Sequence, residues 1–335
     1  MVGYTLQRLS VLVAMLVGLL VVTFIVANVA PADPAALAAG PNATKSMVET
    51  LRHEYGLDRP LWAQFGVYVE GLARGDFGRS ISTTRSVTGE LAETLPNTME
   101  LVGTAMLVGI AGGIGFGMLA AICRDTWVDH LIRMLAVSGM ALPMFWLGLI
   151  FQLFFAVQLG WLPVSGMLGL MASPPAPITH LLVLDAVLRG QWQTALNALS
   201  YLAMPALVLA FPCLASVARV TRAEMIETLA SDYVLGELAH GLPLRRVRMV
   251  HALRNAMLPI LSMIGLRYGW MLGGTVLVET VFDWPGLGLL AVNAALQSDF
   301  KPVLGVTLVI GFNFMLANFV IDLAYGWLDP RLRQG

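Results

Sequence analysis

Lysine is almost missing from this 335-residue chain: only Lys45 and Lys301 occur, preceded by Thr44 and Phe300. A phosphate-cradling P-loop needs Gly directly before its Lys, so that ATP site is excluded and any ATP hydrolysis must come from another chain. Cysteine is as scarce. Cys123 and Cys213 both sit at or inside apolar runs, which argues against a disulfide framework or a cysteine-built metal site and leaves two small apolar fillers. Charge is thin, at 12% of residues against about a quarter in an ordinary soluble domain. The net charge of −1 excludes a general nucleic-acid reader, which needs a basic balance. His53-Glu54 opens a zinc-protease pattern that fails at Leu57, and no Gly-x-Ser-x-Gly occurs. His53, His130, His180, His240 and His251 are scattered over different segments, so no metal site is expected.

What is present in quantity is apolar: 57% of residues are hydrophobic and the mean hydropathy is +0.75. Stretches 9–32, 101–123, 134–184, 190–218 and 302–321 contain no charge, and 255–278 contains only Arg267. About 20 apolar residues cross the hydrocarbon core, so each window accommodates one helix and six spans are expected. The long third window holds one span plus a Pro-rich exit at Pro163 and Pro174-Pro175-Ala176-Pro177. The following "ITHLLVLDAVL" is too short to cross, carries Asp185, and reads as an interfacial or external helix. The first window exceeds the 7–15 apolar residues of a secretory h-region, and is read as a retained helix.

Basic residues set the expected orientation. With the N-terminus inside, the inner segments hold Arg8, Arg124, Arg133, Arg219, Arg222, Arg245, Arg246, Arg248, Arg254, Arg331 and Arg333. Only Arg189 and Lys301 fall in the two shorter outer loops, so both termini are expected in the cytoplasm. The long outer segment has Leu61, Phe65, Tyr68 and Leu72 spaced as one helix face, with Pro60 suited to a first turn. This external helix could be a lid over the spans or a docking surface for an external partner. Asn42-Ala43-Thr44 matches a glycosylation sequon, a pattern common by chance. Gly109, Gly113 and Gly117 recur every four residues, the spacing that lets two membrane helices approach closely; "GGIGFG" has no strand before it and is no dinucleotide loop.

The most polar stretch is "DYVLGELAHGLPLRRVRMVHALRNAMLP", residues 232–259. Thr221 and Glu224 form a capping-box pattern that predicts a helix starting after the fourth span. Met225, Leu229 and Tyr233 are spaced as its apolar stripe, amid Glu224, Glu227, Asp232 and Glu237. A stop is predicted near Gly241, followed by Pro243. A second helix is predicted from Leu244, with Leu244, Val247, Val250 and Leu253 on one side and Arg245, Arg246 and Arg248 facing water or headgroups. Arginines that merely enforce topology need no helix, glycine break and second helix. The pattern favours a rigid lever between two spans.

This segment resembles the cytoplasmic "EAA" loop of binding-protein-dependent ABC importer permeases, in the dipeptide/oligopeptide/nickel group. The likeness lies in Asp232-Tyr233-Val234, Ala239-His240-Gly241-Leu242, Arg246-Val247 and the run from His251 to Pro259. Ordered landmarks support it: Pro31-Ala32-Asp33-Pro34, "YGLDRPLWAQF", "GDFGRS", "LPNTMEL", "ALPMFWLGL", "LPVSG", "ETVFDWPGLG" and Asp329-Pro330-Arg331. The resemblance implies an all-α polytopic membrane protein with six transmembrane helices, both termini inside, and the type I ABC importer permease fold with a cytoplasmic coupling helix. It divides the chain into 1–94, a transmembrane helix plus periplasmic segment, and 95–330, a five-helix transmembrane domain with its loop at 221–259.

By the same resemblance the chain is a permease subunit moving di- or oligopeptides across a bacterial inner membrane. A nickel or other non-peptide solute is the alternative; an ion-coupled secondary transporter is a more distant one, since no Asp or Glu lies deep in a span. Its implied partners are a second homologous permease, two cytoplasmic ATP-binding subunits holding ATP and Mg, a periplasmic substrate-binding protein and the lipid bilayer, with no nucleic acid. The chain itself is implied to be no enzyme and to hold no cofactor or metal. Glu237, Ala239, His240, Gly241, Leu242 and Pro243 would contact an ATPase. Departures occur at Leu235-Gly236-Glu237, where the group has a Thr-Ala-Arg-like run, at His240 for Lys, and at Ala32 for Gly. Arg267 stands where the group often has Gln, near the middle of the fifth span. It is either a structural charge paired on a neighbouring helix or a pathway residue meeting an anionic part of the substrate.

Overall fold

The computed structural model describes residues 2–29, 44–54, 58–169 and 172–328. The landmarks at 31–34 and 329–331, most of the sequon, Leu57, Arg331 and Arg333 lie outside the described residues. Among the described residues the regular elements are helices, with one isolated bridge between Arg79 and Ser86.

The helices are α1 (Val2–Val29), α2 (Lys45–Glu54), α3 (Leu61–Ala73), α4 (Val87–Ile122), α5 (Trp127–Ala141), α6 (Met144–Gln158), α7 (Leu182–Leu188) and α8 (Trp192–Leu229). They continue with α9 (Asp232–Ala239), α10 (Leu244–Phe282), α11 (Leu287–Leu296) and α12 (Phe300–Leu328). Five of them, α1, α4, α8, α10 and α12, are long and apolar enough to cross a membrane. The third apolar window is not a straight span. α5 and α6 pass the same test only together and are bent by 111° at Leu142-Pro143, giving a sixth crossing if the bent pair counts as one. Pro143 cannot donate to the carbonyl one turn back, and it pushes Leu142 into extended backbone (ψ 130°).

The chain divides into two compact units. The first comprises residues 1–5, 95–289 and 317–335. Its centre is α8: 67% of its most apolar stretch is buried, against 22% for α10. The glycine spacing in α4 does what it predicts. A methyl at Gly109 would meet Cys213 and the Ala210 carbonyl, one at Gly113 would meet Val217 at 2.6 Å, and one at Gly117 would meet Thr221 at 2.5 Å. The two backbones therefore touch along three successive turns, and Cys213 is a buried filler of that contact. The short helix α7 is pinned at its start by Glu100 of α4, which accepts from the amides of Leu182 (3.0 Å) and Val183 (2.7 Å). Asp185 accepts from the amides of Ile178, Thr179 and His180 and from the Thr179 hydroxyl (2.6 Å). Burial pushes its pKa up, but these four donors outweigh burial and hold it at about 2.

The second unit comprises residues 6–94 and 290–316. There α3 follows Pro60 as its spacing predicts. Phe65 and Tyr68 pack on Phe24 of α1 at ring distances of 5.2 and 5.7 Å, and the Tyr68 hydroxyl lies 3.2 Å from Thr23. Leu61 and Trp62 remain exposed. Asp299, before α12, accepts from the Ile81 and Ser82 amides and the Ser80 and Ser82 hydroxyls, 2.7–3.0 Å. Burial raises its pKa, and these donors bring it below the ordinary aspartate value.

Candidate coupling element and intramembrane arginine

The two long helices α8 and α10 run 38 and 39 residues. At 1.5 Å per residue each is close to 60 Å long, about twice the hydrocarbon thickness, so their ends project beyond it. The polar stretch joins two such ends. No helix starts at Thr221, contrary to the capping-box reading: α8 continues to Leu229, and Thr221 is buried against Gly117. Close packing on glycine overrides a local capping signal here. The chain breaks at Ala230-Ser231, where the Ser231 hydroxyl bonds the Thr228 carbonyl, and α9 then begins. The stripe of Met225, Leu229 and Tyr233 is cut by this break. Met225 is fully buried, while Tyr233 is exposed.

The stop at Gly241 is as the sequence predicts, and its geometry is complete. Gly241 has φ +82°. Its amide bonds the Leu238 carbonyl (3.0 Å) and the Leu242 amide bonds the Glu237 carbonyl (3.2 Å), the paired 5→2 and 6→1 bonds of a Schellman motif. Pro243 follows with its carbonyl accepting from Arg246 (2.8 Å) and Val247 (3.2 Å), so α10 starts immediately. The structure adds a tie the sequence reading missed: His251 Nδ1 lies 2.6 Å from Glu237 Oε1, fixing α9 to the first turns of α10. Contacts fourteen residues apart across a turn leave no periodic signal.

The predicted inner face of α10 is only partly right. Val247 is buried, but Leu244 and Val250 are exposed, and the buried line runs Val247, Ala252, Ala256, Ile260. Residues Val247–Ala252 form a π-helical turn, whose extra residue rotates every later side chain relative to a regular helix. Arg245 and Arg246 are exposed as expected; Arg248 is half-buried with an unpartnered Nε. Of the proposed contact residues, Ala239, His240, Gly241 and Pro243 are exposed, and Glu237 and Leu242 half-buried. Beside them Leu235 (63% exposed) and Leu238 (37%) stand uncovered.

Below this element, Asp129 of α5 is fully buried and takes a two-pronged bond from Arg222 of α8, 2.6 and 2.7 Å, with Arg133 Nε at 3.6 Å. At the other end of α10, Glu279 is fully buried and accepts from the Thr98 hydroxyl (2.7 Å) and the amides of Gly288 (2.6 Å) and Leu289 (3.1 Å). Trp284 Nε1 donates to the Asn97 carbonyl, and Asn97 donates to that of Pro285. The stretches "LPNTMEL" and "ETVFDWPGLG" therefore form one lock. A methyl at Gly286 would overlap the Glu279 carboxylate, which explains the glycine. Arg267, in the span part of α10, is half-buried; its Nε is sealed from solvent without a partner, and among the described residues no acid pairs with it. Among the described residues no group of three or more His, Cys, Asp and Glu could hold a metal ion.

Comparisons with known proteins identify the family. Residues 113–334 match the family described as binding-protein-dependent transport system inner membrane component, and residues 1–102 its N-terminal component. The chain is 43% identical to the probable D,D-dipeptide transport system permease protein DdpB of Escherichia coli, over 98% of this chain and 97% of that one. It is 37% identical to the di/tripeptide transport system permease protein DppB of Pseudomonas aeruginosa, over 100% and 99%. It is 36% identical to the dipeptide transport system permease protein DppB of Alkalihalophilus pseudofirmus, over 99% and 100%.

Proposed function

The chain belongs to the binding-protein-dependent transport system inner membrane component family, and on that premise we propose that it is the permease subunit of an importer for di- and oligopeptides. The relatives' names, which specify D,D-dipeptides, dipeptides and di- or tripeptides, support that substrate class. The bent pair α5–α6 counts as one crossing. Six crossings in the type I arrangement follow, with both termini on the inner face, as the arginine asymmetry supports. A second homologous permease stands beside this one. An external binding protein delivers the peptide, and two inner subunits bind ATP and Mg and hydrolyse the ATP.

One observation carries the mechanism: α9 is held rigidly yet leaves Leu235 and Leu238 uncovered. A helix with an uncovered apolar side suits a groove on a partner. When the ATPases close on ATP, α9 is pushed. The Schellman turn and the Glu237–His251 contact pass that displacement to α10 as a rigid-body movement, since no loose hinge lies between them. Gly241→Asp and Ala239→Asp test this, because both positions are exposed and Asp tolerates positive φ. Each variant is expected to reach the membrane at normal level while uptake falls about tenfold or more, the cost of an unpaired charge in a buried contact. Normal uptake by both would remove the coupling assignment.

A further inference from the structure

Arg267 lacks the partner that Arg222 has. Arg222, near the inner end of α8, is matched by Asp129, whereas Arg267 has neither carboxylate nor hydrogen-bond acceptor among the described residues. The charge that bears on it electrostatically is a second cation, Arg219. Arg219 of α8 is exposed, has no carboxylate partner among the described residues, and its charge opposes that of Arg267. A lone arginine in a span is costly, and a like charge acting on it adds to that cost. Nothing among the described residues offsets it, so the compensating anion is sought outside them.

We infer that Arg267 and Arg219 form a carboxylate-receiving site on this chain's side of the transport route, taking the free terminal carboxylate of a short peptide. This rests on the peptide-importer reading above. Each guanidinium presents paired N–H groups that match the two oxygens of a carboxylate. A bound carboxylate also cancels the repulsion between the pair. Every unblocked peptide carries that anion whatever its side chains, so the site recognises the class without selecting a sequence. A free metal cation would be repelled, which sets the pair against nickel ions as cargo.

The test uses the complete transporter reconstituted with its binding protein, given alanyl-alanine and its C-terminal amide in turn. Wild type is compared with Arg267→Gln, Arg267→Lys and Arg219→Gln. The Gln variants are expected to lose about tenfold in uptake of the free dipeptide, the size of one charge-assisted contact, with amide uptake changed by less than about twofold. Arg267→Lys is expected to recover a large part of the loss, since the charge remains and only the fork is gone. Where no variant carries the amide, the difference between Lys and Gln on the free dipeptide decides alone. Unchanged uptake in Arg267→Gln overturns the site, as does Lys no better than Gln. An equal loss on both peptides also overturns it and marks a charge paired to the second permease. A wild-type transporter that carries neither peptide but another solute overturns the peptide reading, before any variant is compared.

Discussion

At the scale of single residues, five carboxylates act as staples. Glu100, Asp129, Asp185, Glu279 and Asp299 are all buried, and each is met by N–H or O–H donors from a different stretch of chain. Removing a donor or the carboxylate leaves the other unsatisfied, which is the costly outcome. Asp185 gives this a pH signature. Its pKa of about 2 lies below the usual unfolded aspartate value near 3.9. The folded state therefore gains stability above the unfolded value and loses it as pH falls through the folded one. The purified protein is expected to melt at higher temperature than Asp185→Asn at pH 7 and pH 5, with the gap closing as pH falls from 4 towards 2. Parallel melting curves at all pH values would refute this role. None of these staples is legible in sequence, because each joins residues whose spacing carries no period. Arg267 is the opposite case, visible because it is the single charge in its window.

At the scale of elements, what the sequence conveys depends on whether a signal is local. The Schellman stop at Gly241 and the glycine face of α4 were both readable, one from a backbone that needs positive φ and the other from a repeat of four. The missed features are those where tertiary contact or a break in period intervenes. Thr221 has the residues of a helix start but lies inside α8, held by its contact with Gly117. The π-turn at Val247–Ala252 shifts the buried line of α10, and the bend at Leu142-Pro143 divides a window that reads as one apolar run. The α4–α8 contact has its own test. Gly113→Leu places a side chain where even a methyl would sit 2.6 Å from Val217. Overpacking costs about 1–3 kcal/mol or more, so this variant is expected to melt earlier and to accumulate poorly. Gly115→Leu, on the same helix with nothing within 4 Å, is expected to be near wild type. Equal behaviour of the two would contradict the close crossing.

At the scale of the whole molecule, the membrane character and the family were legible from long charge-free windows and ordered landmarks. The structure explains part of why such landmarks belong together, since "LPNTMEL" and "ETVFDWPGLG" close on one another through Thr98, Glu279 and Trp284. The central claim is that work done by a nucleotide-hydrolysing partner enters through α9 and the turn at Gly241. A photo-crosslinking residue at the exposed position His240, in membranes containing the complete transporter, tests it most directly. The account predicts capture of an ATP-binding subunit from that position and none from Trp62 on α3. Failure of position 240 to capture any ATP-binding chain in an active transporter would contradict it.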